Sequence, residues 1–317
     1  MADRSSTQTV LPIREMYLRR NIGELICEKV SPSIYVDKKQ GKYYRADDSN
    51  LVVENDILSS KGGANETNHG YATGTYNIQS HGLKEWIDGD VYDEADSPVS
   101  EEGRQDCILN IKDKLLLKKE IALKDVLFTA ANFPGQTSAL AGANRWDDPN
   151  SDPTVQFKLA NKTVLQNSGY MPNSLIIGYE AMLELIYNAA FTSLMPYQDD
   201  KVVTAAVLSR LLNINGIKIP EDNIYVGVAQ TKTSASGTSS FIWGKSALFC
   251  YIDKKSQTKR ADTLVKTFRL KGNKGEKFQF FDDADKTKKG EWAAAEIDYG
   301  HELVNYKCGY LFTTVVN

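Results

Sequence analysis

Apolar positions are unevenly spread along this chain. Between residues 33 and 87 they are too sparse to nucleate a core. Two alternating stretches, 33–46 and 70–83, flank a polar, Gly-containing tip with Lys61, Gly62, Gly63, Ala64 and Asn65. The alternation predicts two strand-like arms. A two-stranded ribbon is at best marginally stable alone in water. It is therefore expected to project from its own domain and lie on a neighbouring copy, which points to an assembly protein. Lys42, Tyr43, Gly62, Gly63 and Tyr71 are the candidate contact residues on it.

The pattern changes at Ser97. From there to Thr129 apolar residues recur at helical spacing, with Ile108, Ile111, Leu115, Ala122 and Val126 in one stripe and Leu109, Leu116, Leu123 and Leu127 widening it. Lys112, Lys114, Lys118, Lys119 and Lys124 are expected on the wet side. Ser97 before Pro98, or Ser100, can cap the first amides, and Glu101 and Glu102 suit the positive helix end. A continuous helix of this span would be about 45 Å long, with Ile108, Ile111, Leu115 and Val126 in the core.

Before the ribbon, residues 1–32 read as an arm with a weak helical stripe, and Arg14, Arg19 and Arg20 as a solvated face. After residue 150, helical segments (152–167, 179–187, 202–212) alternate with strands (174–177, 224–229, 241–252), the pattern of an α/β lobe. Further strands are expected at 263–270, 277–281, 293–298 and 307–316. The 254–262 stretch, with Lys254, Lys255, Lys259 and Arg260, reads as a basic loop.

Composition narrows the class. The 317 residues are 41% apolar and 25% charged, a balance that supports a folded core. A net charge of −3 offers no global basic surface for reading nucleic acid. Four scattered cysteines (Cys27, Cys107, Cys250, Cys308) form no CxxC pair and suit a reducing compartment. The amino terminus lacks an apolar signal region and no run reaches membrane-spanning length, so the chain reads as cytosolic.

Chemistry is sparse. None of the three histidines (His69, His81, His301) lies near a nucleophile motif, and no Gly-rich phosphate loop occurs. Asp148, Asn150 and Asp152 have the spacing of a calcium loop, but Pro153 and Leu159 replace the Gly and bidentate Glu it needs. A turn and a helix cap explain them better. No catalytic, cofactor or metal site is expected.

Local motifs add a resemblance. Trp146-Asp147-Asp148 with Ser151-Asp152-Pro153, then Pro172-Asn173-Ser174-Leu175-Ile176-Ile177-Gly178, Ile224-Tyr225-Val226-Gly227 and Ile242-Trp243-Gly244, occur in an order that resembles the major capsid proteins of tailed bacteriophages. That fold is shared with encapsulin shells and the floor of herpesvirus capsids. The resemblance implies an α+β architecture: an arm (1–32), an extended loop (33–87), a peripheral domain (88–149 and 263–302) with a spine helix at 97–129, and an axial domain (150–262 and 303–317). Trp146, Asp152, Asn173 and Trp243 become structural positions, and the basic loop at 254–262 a candidate tip of the axial domain. Lys38, Lys39 and Lys42 lie where some family members form a Lys–Asn crosslink, but no motif marks a partner.

The implied function is structural: hexamers and pentamers tiling an icosahedral head around double-stranded DNA, assembled in a bacterial host cytoplasm. Portal, scaffolding and decoration proteins would be partners. With no scaffolding-like segment before the arm, assembly help is expected from another protein or a removed segment. An encapsulin-like cargo shell and an α/β enzyme with an unusual insertion are the rival readings.

Overall fold

The computed structural model describes residues 24–47, 70–88, 97–193, 204–232, 236–255, 262–271, 276–282 and 290–317, with positions 52, 53, 56, 57, 62, 67, 234 and 258. Gly63, Lys259, Arg260 and most of the 1–32 arm lie outside this set, as do the side chains of 97–104 that hold the capping residues.

Strand β13 (Gly290–Leu303) frames the first sheet. Ala293, Ala295, Ile297 and Tyr299 point to one face of the strand and are buried, so that face is apolar. β4 (Gln79–Asp88) pairs antiparallel along one side of β13, from Gly290↔Asp88 to Tyr299↔Gln79. β12 (Glu276–Asp282) pairs along the other side. β11 (Val265–Leu270) takes over at the carboxyl end of β13, and β1 (Ser33–Val36) adds parallel to β11.

Helix α2 (Ser97–Leu127) packs on the apolar face of this sheet. Its buried row is Cys107, Ile111, Leu115, Lys119, Leu123 and Leu127, spaced by four residues. Ile111 and Leu115 match the sequence expectation. Ile108 and Val126 do not: they are half-buried flanks of the row. Apolar positions on this helix exceed one stripe, and contact with β13 and β4 selects which of them becomes the centre.

The second sheet has the order β5-β14-β10-β6-β7. Its strands are β5 (Thr137–Ala139), β6 (Ser174–Gly178), β7 (Ile224–Gly227), β10 (Ala247–Cys250) and β14 (Gly309–Thr313). β6 and β10 are buried at every position, because both sheet faces are covered. Helices α3 (Pro153–Ser168), α4 (Tyr179–Tyr187), α5 (Ala189–Ser193) and α6 (Ala205–Ile214) lie around one face, packing on Leu175, Ile177, Phe249 and Phe312. The other face, with Ile176, Leu248 and Leu311, meets the end of α2 and the short helix α1 (Cys27–Val30). The two-residue strands β8 (Gln230–Thr231) and β9 (Ser240–Phe241) pair beside it.

Two sequence expectations change here. The 241–252 stretch is not one strand, because the chain turns at Gly244, whose φ of +54° suits a residue without a Cβ. The 33–87 region does not project as a whole either. β1 and β4 at its ends are integral to the first sheet, and among its described residues β2 (Gln40–Ala46) and β3 (Tyr71–Asn77) form a separate two-stranded ribbon.

Candidate assembly surfaces

The ribbon runs from Gln40↔Asn77 to Ala46↔Tyr71, roughly 20 Å at strand rise. One of its faces is an anchor. Tyr43 lies opposite Gly74 and Tyr76 opposite Gly41, and each ring fills the space over the facing glycine. Both rings stack on Phe268 of β11, with centroids at 5.9 Å for Tyr43 and 4.3 Å for Tyr76. Tyr43 Oη donates to the Leu303 carbonyl at 3.2 Å. Tyr43 is therefore buried in its own subunit and does not face a neighbour, contrary to the sequence reading. The missed signal was the reciprocal Tyr–Gly pairing, which needs the register to be seen.

The opposite ribbon face carries Lys42, Tyr44, Tyr71, Thr73 and Thr75, all exposed. Tyr44 and Tyr71 meet edge to face at 6.4 Å. Gly62 is exposed. On the first sheet, the face away from α2 shows a second aromatic patch: Trp86 against Trp292 at 5.1 Å, with the Lys84 ammonium 4.2 Å over the Trp292 ring. Sequence reading did not single out this pair, because the β4–β13 register alone brings the two indoles together.

A buried polar junction lies where α1, α2 and the second sheet meet. Glu120 of α2 is fully buried. Its Oε1 accepts from Ile26 N at 3.0 Å and Trp243 Nε1 at 2.7 Å, and its Oε2 accepts from Cys27 N at 2.8 Å. Burial pushes this carboxyl above the usual carboxylate range, while the three N–H donors pull the other way. Lys119, expected on the wet side, is also buried and pairs with Glu28. Burial pushes Glu28 up, but Lys119 and Arg269 outweigh it and hold the carboxyl below its ordinary range. Ser31 Oγ, Thr267 Oγ1 and His301 Nδ1 continue the network at 2.7 and 2.8 Å. The four-residue spacing from Leu115 to Leu123 was the signal that could have placed Lys119 inside.

Burial pushes the Cys27 thiol up to about 12, so this sulfur, 3.9 Å from His301 Nε2, stays protonated at neutral pH. A protonated thiol is a poor nucleophile. Cys250 and Cys308 are pushed up further by burial.

The remaining motif residues take structural positions. Asp152 caps α3, accepting from Thr154 N at 2.9 Å, and Asp148 accepts from Asn150 N in a turn. Trp146 is buried against Phe157 and donates to Gln156 Oε1 at 2.6 Å. Asn173 imitates a strand residue: its Oδ1 accepts from Ile252 N and its Nδ2 donates to Ile252 O, both at 2.9 Å. Gly178 and Gly227 are register partners, and the Trp243-Gly244 segment crosses both so closely that neither tolerates a Cβ. Three motifs distant in sequence thus converge on one packing point.

The basic loop at 254–262 follows β10 of the second sheet and leads into β11 of the first, and Lys254, Lys255, Thr258 and Asp262 are its described residues. Lys254 Nζ donates to Asn223 Oδ1 at 2.6 Å and lies over the Tyr225 ring. Lys255 is exposed, its N–H donating to Asp253 Oδ1. Buried Lys266 donates to the Thr258 carbonyl at 2.8 Å; burial pushes it down to about 8, against the opposing fields of Asp253 and Asp262. Those acids act on Lys266 within the subunit. An open cleft of about 470 Å³ beside this loop is lined by Glu28, Pro32, Tyr35, Asp222, Tyr225 and Lys254 among others. Among the described residues no group of three or more His, Cys, Asp or Glu could hold a metal ion.

No family model matches the sequence. A protein named major capsid protein from Pseudomonas phage JBD67 is 24% identical over 264 residues, covering 80% of this chain and 79% of that protein. Among solved structures, a phage-related protein from Bordetella bronchiseptica RB50 superposes with a TM-score of 0.71 at 18% identity, over 96% of each chain. The capsid of the cyanophage P-SCSP1u superposes with a TM-score of 0.56 at 12% identity, over 94% of this chain and 93% of that one.

Proposed function

We infer that this chain is a structural capsid subunit, the major capsid protein of a tailed double-stranded DNA phage. Its fold is the α+β fold of phage capsid proteins. The observation that carries the reading is the sequence relative, a major capsid protein matched along most of both chains. It favours a phage head over a cargo compartment, and a structural protein over an enzyme.

Function then follows from geometry. Head-to-tail contacts between identical subunits close into rings when the rotation permits, here hexamers and pentamers. The ribbon is the fastener: anchored on its own Phe268, it offers Lys42, Tyr44 and Tyr71 to a neighbouring copy. The Trp86–Trp292 face and the loop carrying Lys254 and Lys255 are further contact candidates. The slightly acidic balance suits a wall that encloses DNA without binding it tightly. Portal, scaffolding and decoration proteins fit this role as partners, and the bacterial cytoplasm as the place of assembly.

Negative-stain imaging of the purified full-length chain tests the reading. Closed shells, or rings of five and six subunits, are expected. A small oligomer at every concentration and salt condition would overturn it.

A further inference from the structure

We propose that the Glu120 carboxylate is a clasp that makes the docking of residues 24–30 and the fit of the second sheet against α2 a single event. The proposal concerns one subunit and stands whether or not shells form.

Three elements meet at this side chain. Glu120 belongs to α2. Ile26 and Cys27, which supply two donors, begin α1, more than ninety residues earlier in the chain. Trp243, which supplies the third, sits in the turn that crosses Gly178 and Gly227 at the ends of β6 and β7. Ile26 N and Trp243 Nε1 converge on the same oxygen. α1 has no side-chain cap of its own, so Glu120 performs that role from the neighbouring helix.

The coupling follows from burial. A carboxylate without access to water is costly unless its lone pairs are filled. Undocking α1 would remove two of the three donors and leave the charge among Leu123, Leu127 and Trp243, the same apolar cluster that joins α1 to the second sheet. Water would then have to enter, or α2 would have to shift. Conversely, losing the indole donor releases Glu120 from one of its three holds, so the carboxylate is no longer fixed where Ile26 N and Cys27 N need it. Residues 24–30 thus behave as a keystone of the seam rather than as a loose arm. Glu120 acts here as a positioning residue.

Amide hydrogen exchange on the full-length chain tests this, with Trp243→Phe removing the donor on the side away from α1. Exchange at Ile26 and Cys27 is expected to accelerate ~10-fold or more, as for loss of a hydrogen bond to a charged group, while amides of β10 and β14 keep wild-type rates. Glu120→Gln, which preserves shape but turns one acceptor into a donor, should produce the same selective acceleration and decides the matter if Trp243→Phe does not fold. Unchanged exchange at Ile26 and Cys27 would overturn the clasp. So would equal acceleration across β10 and β14, which would make Glu120 and Trp243 ordinary core groups.

Discussion

His301 shows how one side chain makes this subunit sensitive to acid. Its Nδ1 pairs with Thr267 Oγ1 at 2.8 Å, and burial, helped by the Lys119 charge, pushes the imidazole down to about 3. The unfolded ring takes up its proton near pH 6.5, whereas the folded ring stays neutral until about pH 3. The stability from this group is therefore complete above pH 6.5 and falls as pH drops towards 3, by at most about 1.4 kcal/mol per pH unit. Glu120 and Glu302, raised by burial, act in the opposite sense, since their protonated forms suit the native state better. Urea midpoints of wild type and His301→Gln at pH 7 and pH 5 should separate these effects: the wild type loses more on acidification. Equal losses would contradict the assignment. Gly74 supplies a second residue-scale prediction. A Cβ there would lie 2.2 Å from Tyr43 Cζ, whose ring is held between Phe268 and the Leu303 carbonyl. Gly74→Ala should cost about 1–3 kcal/mol by overpacking, and much less when Tyr43 is also Ala, a coupling readable in a double-mutant cycle of chemical denaturation.

At the scale of elements, α2 carries the most consequence. Its middle is held on β13 and β4 through Ile111 and Leu115, and its end on the second sheet through Leu123 and Leu127. Leu115→Asp places a carboxylate in the packed face and should cost several kcal/mol unless the group protonates. A large loss of soluble, folded protein is expected, read by circular dichroism and melting. A wild-type melting profile would mean the face is not packed as described. The helix was legible in the sequence because its apolar spacing persists over many turns without Pro, and the structure ends it within two residues of the expected position. Which row of that helix is central was not legible. The chosen row passes through Lys119, a residue that periodicity assigns to water.

For the whole molecule, the ribbon separates folding from assembly. The β2–β3 ladder closes at the Ala46↔Tyr71 pair, so residues 47–70 can be replaced by a two-residue Asn-Gly turn without disturbing the anchor on Phe268. The shortened chain should remain soluble with an unchanged melting temperature yet fail to form shells, as judged by sedimentation and negative-stain imaging. Shells of normal yield would remove 47–70 from the fastening role. A large fall in melting temperature would show that the segment supports its own subunit.

The sequence by itself determined the long helix and most of the later helices and strands, in their order. Long helical spacing, alternation, and the Asp152-Pro153 helix start are local signals, and local backbone physics reads them the same way in isolation and in the fold. The motifs ending at Gly178, Gly227 and Gly244 could be named in sequence, but their convergence could not be placed in space. Only the tertiary structure decided that Tyr43 turns inward, that Lys254 reaches Asn223, and that Glu120 and Lys119 are buried. Each of these depends on partners far along the chain: Phe268 for Tyr43, Asn223 for Lys254, and Ile26, Cys27 and Trp243 for Glu120. A buried charge is tolerated only where such distant donors converge, and no periodicity within one element records that convergence.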